Sequence, residues 1–246
     1  MKFFCTLLCT LMFSLSAHAG PSLQIGSFYD FMKSNQSSYL KRIHNGGTST
    51  AFVKIEIKEI FYEKNGKSRE EPLKTVEGSA RDGLVASPAR LIVPAKGTQG
   101  TRLLYTGDRS KERYFRVRFL PVVPEKEDKF AVAESERESY EKSMSAGFNV
   151  MAGYGMVFFV RPATTRFDTE IDNTAGRYQL KNNGNSVVII DSFKDCAASN
   201  EEDCKPTKKV HLIPGHDFAF EKQAGRVYRY NLIEDDKKMP MDVKGR

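Results

Sequence analysis

Beyond its first nineteen residues the chain has no apolar run of the ~20 residues needed to span a bilayer, which excludes a membrane-spanning helix in the remainder. Histidine and cysteine are scarce, and several catalytic signatures are missing. There is no Gly-x-Ser-x-Gly, no His-Glu-x-x-His, no phosphate-binding glycine loop and no calcium-binding loop. His44, His211 and His216 stand in no motif, and the carboxylates are scattered through loop-like segments. Enzyme, cofactor and metal readings are therefore disfavoured. No stripe of Lys and Arg interleaved with aromatic residues occurs either. The formal charge of +7 comes from basic residues mixed with acids, as in Lys67–Glu71 and Lys126–Lys129, so it describes a solvated surface and not a nucleic-acid site.

What is present begins with an export signal. Lys2 precedes an apolar run from Phe3 to Leu15, followed by the small-x-small pattern Ala17-His18-Ala19, so residues 1–19 read as a secretory signal peptide cleaved after Ala19. Cys5 and Cys9 leave with it, and Cys196 and Cys204 remain. In an oxidising compartment an even pair usually bridges, and the short polar segment between them reads as a hairpin, so one local disulfide is expected. A metal site built from Cys196, Cys204, His211 and His216 is the rival, but zinc cysteines are normally separated by only roughly two to four residues.

Helical periodicity is scarce and alternation common. Val53, Ile55 and Ile57 share one face against Lys54, Glu56 and Lys58, and Phe115–Phe119 repeats the pattern with Arg116 and Arg118 outward. Leu91–Val93, Leu103–Tyr105, Val187–Ile190, Leu212–Gly215 and Val227–Leu232 add short strands. Asn182–Asn185 marks a turn. This spacing predicts an all-β chain of two immunoglobulin-like sandwiches. Pro162, which cannot extend a ladder, sets the boundary: residues 20–161 form the first domain and 162–246 the second. The charged stretch Glu125–Ser145 reads as a long loop, of a length that is often functional or disordered, while its helical alternative over Ala131–Met144 has no good apolar stripe. It is followed by Gly147–Val160, the most apolar segment after the signal, which is either a buried central strand or an apolar edge open to another chain.

The order of these segments resembles the PapD-like periplasmic pilus chaperones. Ser87-Pro88, Arg90–Gly97 and Thr101–Leu104 look like the family's strand D to strand E passage. Tyr114–Phe119 with Pro121 looks like strand F, Phe158–Pro162 like the end of strand G, and Tyr178–Val188 like the start of the second domain. Leu40–Asn45, Lys111–Val117 and the Cys196/Cys204 hairpin are similar to the alternate branch that serves class 5 fimbriae.

The resemblance implies a chaperone in the periplasm. Its partners would be fimbrial subunits, whose incomplete sandwich it completes with strand G, and an outer-membrane usher that receives them. Phe148, Val150 and Ala152 are expected to fill the subunit groove. The family grips the subunit's terminal carboxylate with a basic pair whose lysine lies four residues before the Arg-Pro, and here that position is Val157. Arg42 and Arg116 are the candidates instead, with Arg118 in reserve, because an arginine fork suits a carboxylate. A secreted β-sandwich adhesin or a pilus structural subunit is the alternative, with Ser22–Phe31 as its own donor segment. A hydrolase or carbohydrate-binding sandwich ranks below both. The sequence leaves open whether the free protein caps its apolar strand as a homodimer.

Overall fold

The computed structural model describes residues 20–63, 66–73, 82–145 and 151–246. These form two sandwiches. In the first, a four-stranded sheet has the order β1 (Leu23–Gln24), β3 (Ser38–Asn45), β8 (Thr98–Thr106), β6 (Gly83–Ser87). It faces a six-stranded sheet ordered β2 (Tyr29–Met32), β10 (Tyr154–Val160), β9 (Arg113–Val122), β4 (Ala51–Tyr62), β5 (Ser68–Pro72), with β7 (Arg90–Val93) also on β4. In the second, β11 (Thr169–Asn173), β12 (Arg177–Asn182) and β16 (Asp217–Glu221) face a five-stranded sheet. That sheet contains β14 (Asn200–Cys204), β13 (Val188–Ala197), β17 (Arg226–Glu234) and β18 (Lys237–Lys244), with β15 (Lys208–Leu212) on β13.

The alternation seen in the sequence decides what lies between the sheets. Phe115, Val117 and Phe119 of β9 meet Ile43, Leu84 and Leu103 of the opposite sheet, all with negligible exposure. Tyr178, Leu180, Ile190, Tyr230 and Leu232 do the same in the second sandwich. Both cores close with the same device. A fully buried asparagine ends β3 in the first sandwich and β12 in the second, and ties the following turn to a neighbouring strand. Asn45 Nδ2 donates to the Ser49 and Val93 carbonyls at 2.8 and 3.1 Å. Asn182 Nδ2 donates to those of Ser186 and Leu212 at 2.9 and 2.8 Å. Their Oδ1 atoms accept from Gly47 and Gly184 in turn. Each amide thus satisfies backbone groups that would otherwise be buried without partners. The Cys196–Cys204 disulfide joins β13 to β14.

The first strand changes sheets. β1 runs antiparallel to β3, and β2 runs parallel to β10, with Tyr29 opposite Val157 and Met32 opposite Val160. The crossing passes through Gly26, whose φ of +67° favours a residue without a Cβ. It is held by a buried ion pair. Lys41 of β3 donates to Asp30 at 2.6 Å and to the Ser27 carbonyl at 2.8 Å, with side-chain exposures of 5% for Lys41 and 10% for Asp30. Burial, with Asp30 beside it, pushes the Tyr39 hydroxyl up to about 12.

The segment expected to be a loop is a short 3-10 turn, Lys126–Asp128, followed by helix α1, Glu134–Ser145. Its apolar stripe is too thin to register in the sequence. Tyr140 packs edge-on to Phe52 at 4.8 Å and Met144, one turn on, is buried. Phe130 meets the same ring at 5.3 Å, and Asp128 pairs with Lys54, so the segment covers the start of β4.

The two sandwiches meet along an apolar seam of Ile60, Val157 and Phe159 against Val187 and Ile213. His211 stacks on Tyr29 at 3.9 Å, and burial lowers its pKa to about 4, so it is neutral there. Charges flank the seam. Arg161 reaches Asp235 at 2.8 Å, and its guanidinium lies over Phe31 and Phe167. Glu112 accepts from Ser186 Oγ at 2.6 Å and from the Val187 amide at 2.8 Å. Burial pushes Glu112 up to about 7 against those hydrogen bonds and the charge of Arg161.

Two outcomes are expected. Asp30→Ala strands the Lys41 ammonium and should cost about 3–5 kcal/mol in urea unfolding. Glu112 binds its proton more tightly in the folded than in the unfolded chain. Its contribution is therefore complete below about pH 4.5 and is lost as pH rises through about 7. Urea midpoints of the parent protein measured across that window should fall as pH rises. Glu112→Gln should flatten that slope.

Candidate functional site

Two features of the six-stranded sheet stand apart from its packing role: an edge and a face. The edge belongs to β10. On one side β10 pairs with β9 from Tyr154 to Val160. On the other, β2 begins to cover it only at Val157, whose amide donates to the Phe28 carbonyl at 2.9 Å. From Met156 back toward Met151 that second side has no strand among the described residues. Tyr154, Met156, Phe158 and Val160 point into the first core, and alternation puts Ala152 on the same face. Ala152 is exposed, and the Phe28 ring, half exposed at 50%, lies 6.3 Å from that of Tyr154. Phe148 and Val150 lie outside the described residues.

The face is the side of the six-stranded sheet turned away from the core. Its registers form rows across the strands. One row is Phe31, Phe159, Tyr114, Ile60 and Glu70. The next is Tyr29, Val157, Arg116, Lys58 and Pro72. The third is Gly155, Arg118 and Glu56. Most of the first row is buried in the seam with the second sandwich. One step along β9 the face becomes basic and half exposed. The stems of both arginines lie against Gly155, where a Cβ would sit 3.4 Å from Arg116 Cδ and 3.8 Å from Arg118 Cγ.

Glu70 of β5 reaches across β4 and binds both cations. Its Oε1 accepts from Arg116 Nε at 3.0 Å and its Oε2 from an Arg118 terminal nitrogen at 2.6 Å. Burial opposes its charge, but the two arginines hold its pKa below the usual carboxylate range. The arrangement already binds a carboxylate, one oxygen to each guanidinium.

The structure does not bring Arg42 and Arg116 together. Arg42 is exposed between buried Lys41 and Ile43, on the outer face of the four-stranded sheet and so on the opposite side of the sandwich. The second arginine beside Arg116 is Arg118. Val157 is 6% exposed within the apolar seam. Cys196 is bridged to Cys204, so the pair is not free to ligate a metal together with His211 and His216.

No protein-family model matches the chain. A curated relative, the probable fimbrial chaperone EcpB of Escherichia coli, is 25% identical over 224 residues, 89% of this chain and 91% of the relative. Among solved structures, the class 5 fimbriae chaperone CfaA superposes with a TM-score of 0.55 at 20% identity, over 92% of this chain and 100% of that one. The Escherichia coli chaperone DraB gives 0.52 at 13% identity, over 91% and 97%. The structure of CsuC with the tip adhesion subunit CsuE, from the archaic chaperone-usher Csu pili of Acinetobacter baumannii, gives 0.53 at 12% identity, over 91% and 98%. The chain is thus similar in sequence to fimbrial chaperones along nearly its whole length and shares the two-sandwich fold of the solved chaperones.

Proposed function

We propose that this protein is a periplasmic chaperone that stabilises pilus subunits by strand donation and passes them to an outer-membrane usher. The observation that carries the reading is the half-open β10, paired by β9 throughout but by β2 only from Val157 onward. An open strand edge is a template for a second chain, and added strands are held by main-chain hydrogen bonds with alternate side chains seated in pockets. Alternation continues the core-facing positions of β10 back through Ala152, Val150 and Phe148, which are the residues proposed to enter the subunit's groove. Ala152 contributes least because it is small. Arg116, with Arg118 beside it, is proposed to anchor the subunit's terminal carboxylate. The domain division proposed is a signal at 1–19, a strand-lending domain at 20–161 and a second domain at 162–246.

Likeness to fimbrial chaperones supports a binding role for this chain. No cluster of three or more His, Cys, Asp or Glu side chains suited to a metal occurs among the described residues. No helix there is long and apolar enough to cross a membrane. The reading as a pilus structural subunit needs a free donor segment at Ser22–Phe31. That segment is instead built into the protein's own sheets through β1 and β2.

The test is co-expression of the tagged chain with its neighbouring genes and recovery from the periplasm. A stoichiometric β-rich partner should co-elute and should disappear with Phe148→Asp/Val150→Asp. Arg116→Ala/Arg118→Ala should lower recovery about tenfold, the equivalent of roughly 1.4 kcal/mol. Undiminished recovery with the Phe148/Val150 variant would overturn strand donation. Assembly of the chain itself into polymers would favour the structural-subunit reading.

A further inference from the structure

Glu70 is an unusual partner for the two arginines. It does not come from the neighbouring strand β4, whose residue opposite Arg116 is Lys58 and opposite Arg118 is Glu56. It comes from the next strand out, β5, which among the described residues is the edge of the sheet and pairs with β4 alone. Glu56, the nearer carboxylate in register, is exposed and forms no ion pair among the described residues. Lys58, between the arginines and β5, likewise has no ion pair there. Three cations thus converge on this patch of the outer face, and a single carboxylate, delivered from an edge strand, takes two of them with one oxygen each.

We propose that Glu70 is a resident stand-in for a chain-terminal carboxylate. It occupies the Arg116–Arg118 fork while no client is bound and gives the fork up when the end of a client chain arrives. The proposal rests on the reading of Arg116 and Arg118 as the anchor, and adds that the anchor is closed by the protein itself. The exchange needs only a rotation of one side chain. The arginines are about one-third exposed and Glu70 about one-quarter, so an incoming carboxylate can reach the fork from solvent. Once Glu70 swings away, Lys58 and the solvent can take its charge.

The consequence is selectivity. A chain that offers only an apolar alternating strand gains the β10 edge but not the arginines. A chain that also ends in a carboxylate replaces Glu70 and gains both. Until then Glu70 holds the two guanidinium groups oriented for a carboxylate, which lowers the ordering cost of binding, at the expense of competition for the site. Exposed or half-exposed ion pairs are worth little individually, so the displacement is affordable for a client whose other contacts hold it in place.

The experiment uses the full chain without its signal. Its probe is a fluorescein-labelled octapeptide of alternating valine and threonine, made once with a free terminal carboxylate and once as the amide. Anisotropy titrations give the carboxylate-over-amide preference. Glu70→Gln, which keeps the shape and removes the charge, should raise that preference about tenfold over the parent protein. Glu70→Ala should do so as well, with thermal unfolding and circular dichroism showing both variants folded. Arg116→Ala should remove the preference in either background. If Arg116→Ala removes the preference but both Glu70 variants leave it unchanged, the anchor stands and the stand-in is refuted. If no protein, parent or variant, distinguishes carboxylate from amide, the anchor and the stand-in fall together.

Discussion

A strand carries amides and carbonyls on both sides, and among the described residues β10 pairs on only one side over its first residues. β9 supplies a complete ladder, but β2 runs parallel to β10 only from Val157 onward. This asymmetry depends on the first strand changing sheets. Had Leu23–Met32 stayed in one sheet, either β3 would lose its neighbour β1 or β10 would be covered further along. The Lys41–Asp30 pair, buried where the chain crosses, therefore fixes how much of β10 stays open.

The outer face of the same sheet converts this edge into a directional site. At one end Phe159, Tyr114 and Ile60 are covered by Val187 and Ile213 of the second sandwich. One register step is about 7 Å along a strand. Over that distance the face passes from apolar seam to the arginine fork. On the proposed reading, a client strand added along β10 lies beside a fixed cationic point, and its register can be set from its end. Glu112, Arg161 and Asp235 add polar contacts between the two sandwiches at the end of β9 and β10 away from the fork.

Alternation made much of this fold legible. Val53, Ile55 and Ile57 do face the core side and Lys54, Glu56 and Lys58 the other, because period two is imposed by the pleat itself. The Cys196–Cys204 bridge followed from compartment and parity, and the Asn182–Asn185 turn from its composition. Alternation cannot say which of two sheets an outward residue belongs to. Arg42 and Arg116 are equally outward in sequence, yet they sit on opposite sides of a sandwich, and only strand pairing separates them. Glu70 was hidden for a different reason. It stands in the mixed-charge run Lys67–Glu71, which has the composition of any solvated edge, and its reach across β4 to two arginines is a tertiary fact. Helix α1 escaped because its burial rests on Tyr140 and Met144 over one ring, Phe52, too little to produce a periodic signal.

The position of the proposed anchor can be understood from the seam. In the pilus chaperones that this sequence resembles, a lysine four residues before the Arg-Pro serves the carboxylate, and here that residue is Val157. In this structure the position lies under the second sandwich, opposite Tyr29, at 6% exposure. An ammonium there would lose its water with no partner among Ile60, Phe159, Val187 and Ile213, a cost that burial of charge makes prohibitive. A cation can serve the same cleft only from the strand next door, where Arg116 stands directly opposite Val157 in register. Arginine suits that displaced post better than lysine. Its stem can lie flat over Gly155 while the guanidinium projects to the open part of the face, and its planar fork meets a carboxylate with defined geometry. On that proposal, closing the seam with valine and binding with arginine are two parts of one arrangement, in which the apolar contact between the sandwiches excludes charge from β10 and β9 carries it instead.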